Sequence, residues 1–163
     1  MEMPDKGTVR EALRAALAST LATLVHAAKD AAAGATHEDS RAEGDKDMRA
    51  TEQSYIARGQ AMRAEELADE LARLEATPLR AFGEDDAIAP GALVRVSIDG
   101  DEERVLFVIP WGGGTELVVG RVKVTVVTPS SPVGQALVGR RQGDDFELKQ
   151  RGAVREWVIE EVR

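Results

Sequence analysis

The chain of 163 residues lacks cysteine, has only two histidines, and is poor in aromatic residues, at 4%. The absence of cysteine excludes disulfide frameworks, thiol catalysis and thiolate metal sites. His26 and His37 are too few for a metal site built from three histidines. No run approaches the roughly 20 apolar residues that cross a bilayer, and the first ten residues lack a signal-peptide core. We therefore expect a cytoplasmic protein with no membrane partner.

The charge balance is acidic, with 29 Asp and Glu against 21 Lys and Arg, a net charge of -8. Such a balance argues against a broad face that grips nucleic acid, because phosphate contacts need clustered cations. The length suits one or two small domains rather than a large enzyme. We therefore expect a protein to be the main partner, and the chain itself to be a monomer.

Composition divides the chain into two halves, since both Trp and all three Phe follow residue 79 whereas Ala and Leu dominate before it. A helical half followed by a sheet-rich half predicts an α+β fold. We expect an N-terminal antiparallel α-helical coiled-coil hairpin at residues 1–78 with its tip at about 34–47. A linker at 79–90 and a C-terminal β-sheet domain at 91–163 complete the prediction.

Apolar residues recur at helical spacing in the first half, which predicts one helix over about residues 8–33, ended by Gly34, and a second ended by Pro78. The first stripe comprises Val9, Leu13, Leu17, Leu21, Leu24 and Ala28. The second comprises Met48, Tyr55, Gly59, Met62, Leu67, Leu71 and Leu74. The step from Met62 to Leu67 breaks the heptad, so a local change of supercoil is expected there.

The second half contains short strand-like runs separated by turn residues, among which Asp99-Gly100 is a strong hairpin signal. Ser131-Pro132 predicts the start of one short helix, because serine caps a helix and proline fits its first turn. The predicted strands are 93–98, 103–109, 116–119, 122–127, 144–150 and 153–162.

Residues 127–145 run from a strand into Ser131-Pro132, through a short helix ending at Gly139, to the pair Gly143-Asp144. This stretch resembles the C-terminal signature of the GreA and GreB family of bacterial transcript-cleavage and elongation factors. The order of parts is similar as well, because the family has a long helical hairpin followed by an FKBP-like sheet domain with one short helix.

The resemblance implies a non-catalytic factor that docks on RNA polymerase and inserts its coiled coil into the secondary channel. Acidic tip residues then help to hold a second Mg²⁺ at the polymerase active site, and the polymerase cleaves backtracked RNA. The chain alone would bind no cofactor, since Mg²⁺ is supplied at the polymerase active site. Nucleic acid would be contacted only within that complex. The resemblance also suggests Ser131, Pro132, Arg140 and Arg141 as partner-binding residues, although Arg140 and Arg141 equally suit a helix C-terminus.

The predicted tip contains five acids, Glu38, Asp39, Glu43, Asp45 and Asp47. Gly44-Asp45 matches the opening pair of the family's tip motif, whereas Met48 stands where that motif has an acid. Asp45 is therefore the first candidate for the cleavage and metal-binding role, with Asp47 and Glu43 as its partners. An acidic tip is also what ordinary solvation of a helix connection produces.

Several alternatives remain open, some for the roles of residues within the family's function and some for the function itself. The tip carboxylates either promote cleavage or occupy the channel and modulate or inhibit transcription without cleavage. Tyr55 either packs inside the hairpin or stacks on RNA, and Lys46, Arg49 and Arg58 are either phosphate contacts or ordinary surface cations. A prolyl isomerase and a chaperone-like hairpin are alternatives from other classes, although fold analogy alone says little about activity.

Overall fold

The computed structural model describes the backbone of residues 1–39 and 45–163 and the side chains of residues 1–34 and 48–163. It contains two long helices, α1 (Lys6–Asp39) and α2 (Asp45–Ala76), and one short helix, α3 (Pro132–Leu137). The strands are β1 (Leu93–Ile98), β2 (Glu102–Val108), β3 (Glu116–Val119), β4 (Val122–Val127), β5 (Asp145–Gln150) and β6 (Ala153–Val162). The predicted α+β fold, with two helices before a sheet domain, is confirmed.

By its internal contacts the chain forms two units. The sheet unit comprises Met1–Arg14 together with Ala76–Arg163, and the helical unit comprises Ala15–Glu75. No helix of the described residues is long and apolar enough to span a membrane.

The helical unit consists of the remainder of α1 and nearly all of α2. A Cβ built on Gly34 of α1 would lie 3.9 Å from Oε1 of Gln53 in α2, so the end of one helix lies beside the start of the other. The prediction that Gly34 ends the first helix is wrong, because α1 continues to Asp39. A glycine inside a helix costs only about 1 kcal/mol relative to alanine, and no proline follows it.

The buried face of α2 follows a register that the sequence analysis missed. Eight of its buried and half-buried residues follow a heptad pattern without a break, and Glu70 is half-buried as well. The eight are Ala50, Gln53, Ala57, Gln60, Ala64, Leu67, Leu71 and Leu74. We call these eight residues the α2 seam. Met48, Tyr55 and Met62 were expected on this face but are 76%, 71% and 58% exposed. Alanine in the seam permits a close helix pair, and the larger side chains are then directed outward.

The sheet unit contains one six-stranded sheet in the order β3-β4-β2-β1-β6-β5. Neighbours are antiparallel except β2 and β4, which pair in parallel with Val105 opposite Val124. A bulge between Arg95 and Val96 shifts the register of β1 against β6. Each predicted strand lies within one residue of an observed one.

The core of the sheet unit packs against α3. Leu137 of α3 joins a cluster that includes Trp157, Ile159, Val96 and Leu106, with Val133 and Ala136 packed at its margin. The rings of Phe146 and Trp157 stack with their centroids 5.8 Å apart. Large apolar side chains therefore hold α3 on the sheet and fix the residues that flank it.

The start of α1 belongs to the sheet unit and is fastened there by polar contacts. Asp5 caps the helix by accepting from the Thr8 backbone N–H at 2.9 Å. Nζ of Lys6 donates to the Arg80 carbonyl oxygen at 2.5 Å and lies 4.8 Å from the centre of the Phe82 ring. Burial of Lys6, with a further contribution from the charge of Arg80, lowers its pKa to about 8.

Candidate functional site

The carboxylates predicted at the tip fall outside the described side chains. Glu43 belongs to residues 40–44, which the structure does not describe, and Asp45 and Asp47 are described only as the first residues of α2. Their assignment to cleavage and to Mg²⁺ binding therefore stays a prediction. Within residues 1–34 and 48–163, no group of three or more His, Asp or Glu side chains is placed to hold a metal ion.

The outer face of α2 carries a stripe of exposed apolar side chains immediately after the predicted tip. Met48, Tyr55 and Met62 follow one another at intervals of seven residues and are all more than half exposed. Tyr55 therefore does not pack inside the helix pair, which corrects the interpretation favoured by the sequence. The signal that would have revealed this was the heptad spacing of Ala50, Ala57 and Ala64.

A shallow cavity of about 320 Å³ lies beside Tyr55. It is lined by Ala50, Thr51, Ser54, Tyr55 and Arg58. Its lining combines an aromatic ring, two hydroxyl groups and a guanidinium group. An aromatic ring can stack on a base, and hydroxyl and guanidinium groups can bind a phosphate. Arg49 and Arg58 are both exposed on this helix.

The second candidate site surrounds α3, and its first part is the helix start. Ser131 is the N-cap, since its Oγ accepts from the Gly134 N–H at 3.1 Å and donates to the Thr128 carbonyl at 2.8 Å. Gly134 permits this tight turn, because a Cβ there would lie 1.9 Å from the Thr128 oxygen. Pro132 is exposed at the first helical position. Ser131 is thus a structural residue, and Pro132 is presented to solvent.

Arg140 and Arg141 follow α3 and differ in their surroundings. Nε of Arg140 donates to the Ala136 carbonyl at 2.7 Å, and its guanidinium lies 5.0 Å from the centre of the Phe146 ring. Arg141 is exposed, and its backbone N–H donates to Oδ2 of Asp144 at 2.8 Å. Pro132, Gln135, Val138 and Arg141 are among the exposed residues around this helix, and we call these four the α3 surface.

Comparison with known proteins finds one curated relative to report. The chain is 31% identical over 101 residues to the transcription elongation factor GreA of Rhodospirillum rubrum. The match covers 62% of this chain and 60% of that protein, so the chain spans less than two thirds of the relative's length. No family model matches the chain.

Two solved structures that align with the chain have low TM-scores. Gfh1, the GreA factor homolog of Thermus thermophilus, aligns at 20% identity over 92% of this chain and 94% of that one, with a TM-score of 0.39. GreA/GreB from Nitrosomonas europaea aligns at 28% identity over 61% and 78%, with a TM-score of 0.39. TM-scores of 0.39 do not by themselves demonstrate a common fold. The sequence match to GreA agrees with the expected resemblance: over 101 residues the chain is similar to a GreA elongation factor.

Proposed function

We propose that the chain is a transcription elongation factor that binds RNA polymerase and promotes cleavage of backtracked RNA. In this proposal the helical pair enters the secondary channel, and the polymerase performs the reaction. The observation that carries the proposal is the 31% identity with GreA over 101 residues. The factor is not an enzyme by itself, acts as a monomer in the cytoplasm, and contacts nucleic acid only inside the polymerase complex.

The dimensions of the helices support insertion. At 1.5 Å per residue, the 34 residues of α1 and the 32 residues of α2 each extend about 50 Å. Residues 38–47, which include the end of α1, the connection and the start of α2, contain five acids against Arg41 and Lys46, so this stretch has an excess of carboxylates. Two long helices joined through such a stretch are suited to bring carboxylates to the catalytic centre of another protein.

The carboxylates of Asp45, Asp47 and Glu43 are chemically suited to a shared Mg²⁺ ion. Mg²⁺ prefers oxygen ligands and keeps several waters, so one or two carboxylates from the factor suffice. When bound at the polymerase active site, the ion supplies the charge neutralisation that phosphodiester hydrolysis requires. Asp45 and Asp47 begin α2.

The side chains next to the tip are proposed to position the RNA. Tyr55 is 71% exposed and shares a cavity with Arg58, so its ring is available to stack on an unpaired base while Arg58 faces a phosphate. Packing does not explain the exposed ring of Tyr55, whereas stacking on RNA does. This role also predicts that Tyr55 affects RNA positioning and not stability.

The α3 surface is proposed as the polymerase contact. Of the four residues that the resemblance suggests, Pro132 and Arg141 are exposed, whereas Ser131 and Arg140 make the internal hydrogen bonds described above. Replacing Arg141 with Glu should therefore weaken polymerase binding directly. Replacing Ser131 with Ala should act through loss of the helix cap.

The decisive experiment uses a polymerase complex backtracked on labelled RNA and measures RNA shortening and the rate of nucleotide addition together. The wild-type chain should accelerate shortening, and the double substitution Asp45→Asn and Asp47→Asn should abolish this while polymerase binding persists. Asp69→Asn, the same chemical change at an exposed position elsewhere on α2, is the matched control and should leave shortening unchanged. Slower nucleotide addition without shortening by the wild-type chain would contradict the proposal.

A further inference from the structure

The sheet unit contains a cavity of about 560 Å³ with a basic lining. Its lining residues are Arg104, Gln150, Arg151, Ala153 and Arg155. None of them is a carboxylate, although the whole chain has a net charge of -8. Three guanidinium groups and one amide thus line a single cavity, which we call the arginine cleft.

Two of these guanidinium groups are held in place by acids behind them. Nε and Nη1 of Arg155 donate to Asp99 and Glu102, each at 2.7 Å. The hydrogen bond from Arg155 is the largest cause of a lowered pKa at both carboxyls, so both stay ionised at neutral pH. Nε of Arg104 donates to Glu102 at 2.6 Å. These contacts use Nε and Nη1 of Arg155 and Nε and Nη2 of Arg104, so Nη2 of Arg155 and Nη1 of Arg104 remain as donors for a ligand. The Arg104 guanidinium also lies 5.8 Å from the centre of the Trp157 ring.

The third guanidinium is placed by a turn that does not favour arginine. Arg151 has φ of 50° and Gly152 has φ of 86° in the two-residue connection between β5 and β6. The connection between β1 and β2 has the same signs at Asp99 and Gly100, with φ of 53° and 78°. Asp-Gly is a preferred pair for such a turn, whereas a long side chain at the first position is strained. The turn itself therefore gives no reason for arginine at 151.

Arg151 also lacks the partners that hold the other two arginines. Among the described residues, its side chain makes no ion pair or hydrogen bond, and the residue is exposed. A strained position thus holds an unneutralised guanidinium at a cavity that already has two oriented ones. Strained residues that packing does not require are found at ligand sites more often than elsewhere.

We propose that the arginine cleft binds a small ligand that carries two or more phosphate groups, either a free nucleotide or an inorganic polyphosphate. The planar guanidinium group matches two phosphate oxygens at once, and three such groups accommodate more than one phosphate. The volume lies within the range of about 300–1,000 Å³ that is typical of small-ligand sites. The inference is independent of the proposed role in transcription.

Pyrophosphate is the first probe, titrated at low salt into the ¹⁵N-labelled chain of 163 residues and followed by backbone and arginine Nε–H resonances. Shifts should be confined to residues 102–104 and 150–155. Arg151→Asn should weaken binding about tenfold, as expected for the loss of a charged hydrogen-bond donor. Its Tm should be equal to or higher than that of the wild type, because asparagine suits the turn. Loss of binding would then not reflect misfolding.

Lys149→Gln is the matched control, since Lys149 is an exposed cation on β5 that does not line the cleft. Its affinity for pyrophosphate should stay within about twofold of the wild type, because cations outside the cleft contribute only screened attraction. A parallel titration with ADP, which has the same two phosphates, separates the two sources: tighter binding of ADP indicates a nucleotide, and equal or weaker binding indicates inorganic polyphosphate. Shifts spread over all surface cations, an equal loss in Lys149→Gln, or no shift with either probe would overturn the proposal.

Discussion

The two units differ in what they bury. The sheet unit encloses large apolar side chains such as Trp157, Phe107 and Ile159, each of which is 0% exposed. The α2 seam of the helical unit contains only alanine and glutamine from Ala50 to Ala64, and its leucines begin at Leu67. Burial of a large side chain contributes about 1.5–3 kcal/mol, whereas alanine contributes far less. The sheet unit is therefore stabilised by its apolar core. The first half of α2 is stabilised mainly by the hydrogen bonds and the helix propensity of the helix itself.

This difference also separates where the functional side chains lie. In the helical unit the large residues Met48, Tyr55 and Met62 are exposed, which leaves them free to contact a partner. In the sheet unit the largest apolar residues are inside, and the exposed candidates combine charged side chains such as Arg141 with the apolar residues Pro132 and Val138. The first half of α2 thus gives up apolar burial and gains an apolar outer surface. Substitutions that shift burial in either unit test this comparison.

The largest effect is expected from Trp157→Ala. Removal of this fully buried ring should lower the free energy of unfolding of the sheet unit by about 3–5 kcal/mol, because a cavity replaces its contacts. Trp111 remains as the fluorescent probe in urea unfolding. Val118→Ala, at a position 75% exposed on β3, should change the value by no more than about 0.5 kcal/mol. A cost below about 1 kcal/mol for Trp157→Ala would contradict the assigned core.

A smaller loss is expected from Leu67→Ala in the α2 seam. Leu67 is 2% exposed, so truncation should cost the helical unit about 2–3 kcal/mol, measured by circular dichroism at 222 nm during unfolding. Met62→Ala removes a side chain that is 58% exposed and should have little effect. Equal losses in the two variants would show that the register of the seam is wrong.

A gain is expected where the seam is polar. Gln60 is half-buried between Ala57 and Ala64, and Gln60→Leu should stabilise the helical unit by about 1 kcal/mol because apolar area replaces an amide. Ala61→Leu adds leucine at the next, exposed position and should change stability by less than about 0.5 kcal/mol. Stabilisation by Ala61→Leu but not by Gln60→Leu would refute the comparison.

The last effect depends on pH and concerns the start of α1. The pKa of Lys6 is lowered to about 8 in the folded chain from its ordinary value of 10.5. Between these values the unfolded chain binds more protons, so the contribution of Lys6 to the unfolding free energy rises with pH. Below pH 8 both states are protonated and the cost of burying the charge is constant. Lys6→Met should remove this rise in urea unfolding from pH 7.5 to 10, whereas parallel pH curves would contradict it.

The elements of the sheet unit were predictable because local signals define them. Turn pairs such as Asp99-Gly100 and the cap Ser131-Pro132 placed each strand and α3 within a residue or so. The strand order was not predicted, since pairing between β1 and β6 joins residues that are 59 to 68 positions apart. The arginine cleft depends on that pairing. No local sequence motif therefore predicted that Arg104, Arg151 and Arg155 are neighbours.

The helical unit was predicted less well for a physical reason. In α1 the leucines from Leu13 to Leu24 mark the buried face, and they are buried or half-buried as expected. In α2 the buried face contains small residues, so hydrophobicity directed the prediction toward Met48, Tyr55 and Met62. The predicted tip carboxylates remain predictions, because Glu43, Asp45 and Asp47 have no described side chains.

Insertion of the helix connection into the polymerase is the central claim, and a tethered cutter tests it most directly. The chain contains no cysteine, so Ala42→Cys provides a single attachment point for an iron chelate that generates hydroxyl radicals. With a backtracked polymerase complex, the account predicts cuts in the polymerase chain beside its catalytic centre and in RNA near its 3′ end. The same label at Val118→Cys in the sheet unit should give none there. A bound factor whose Ala42→Cys label cuts only elsewhere would contradict the account.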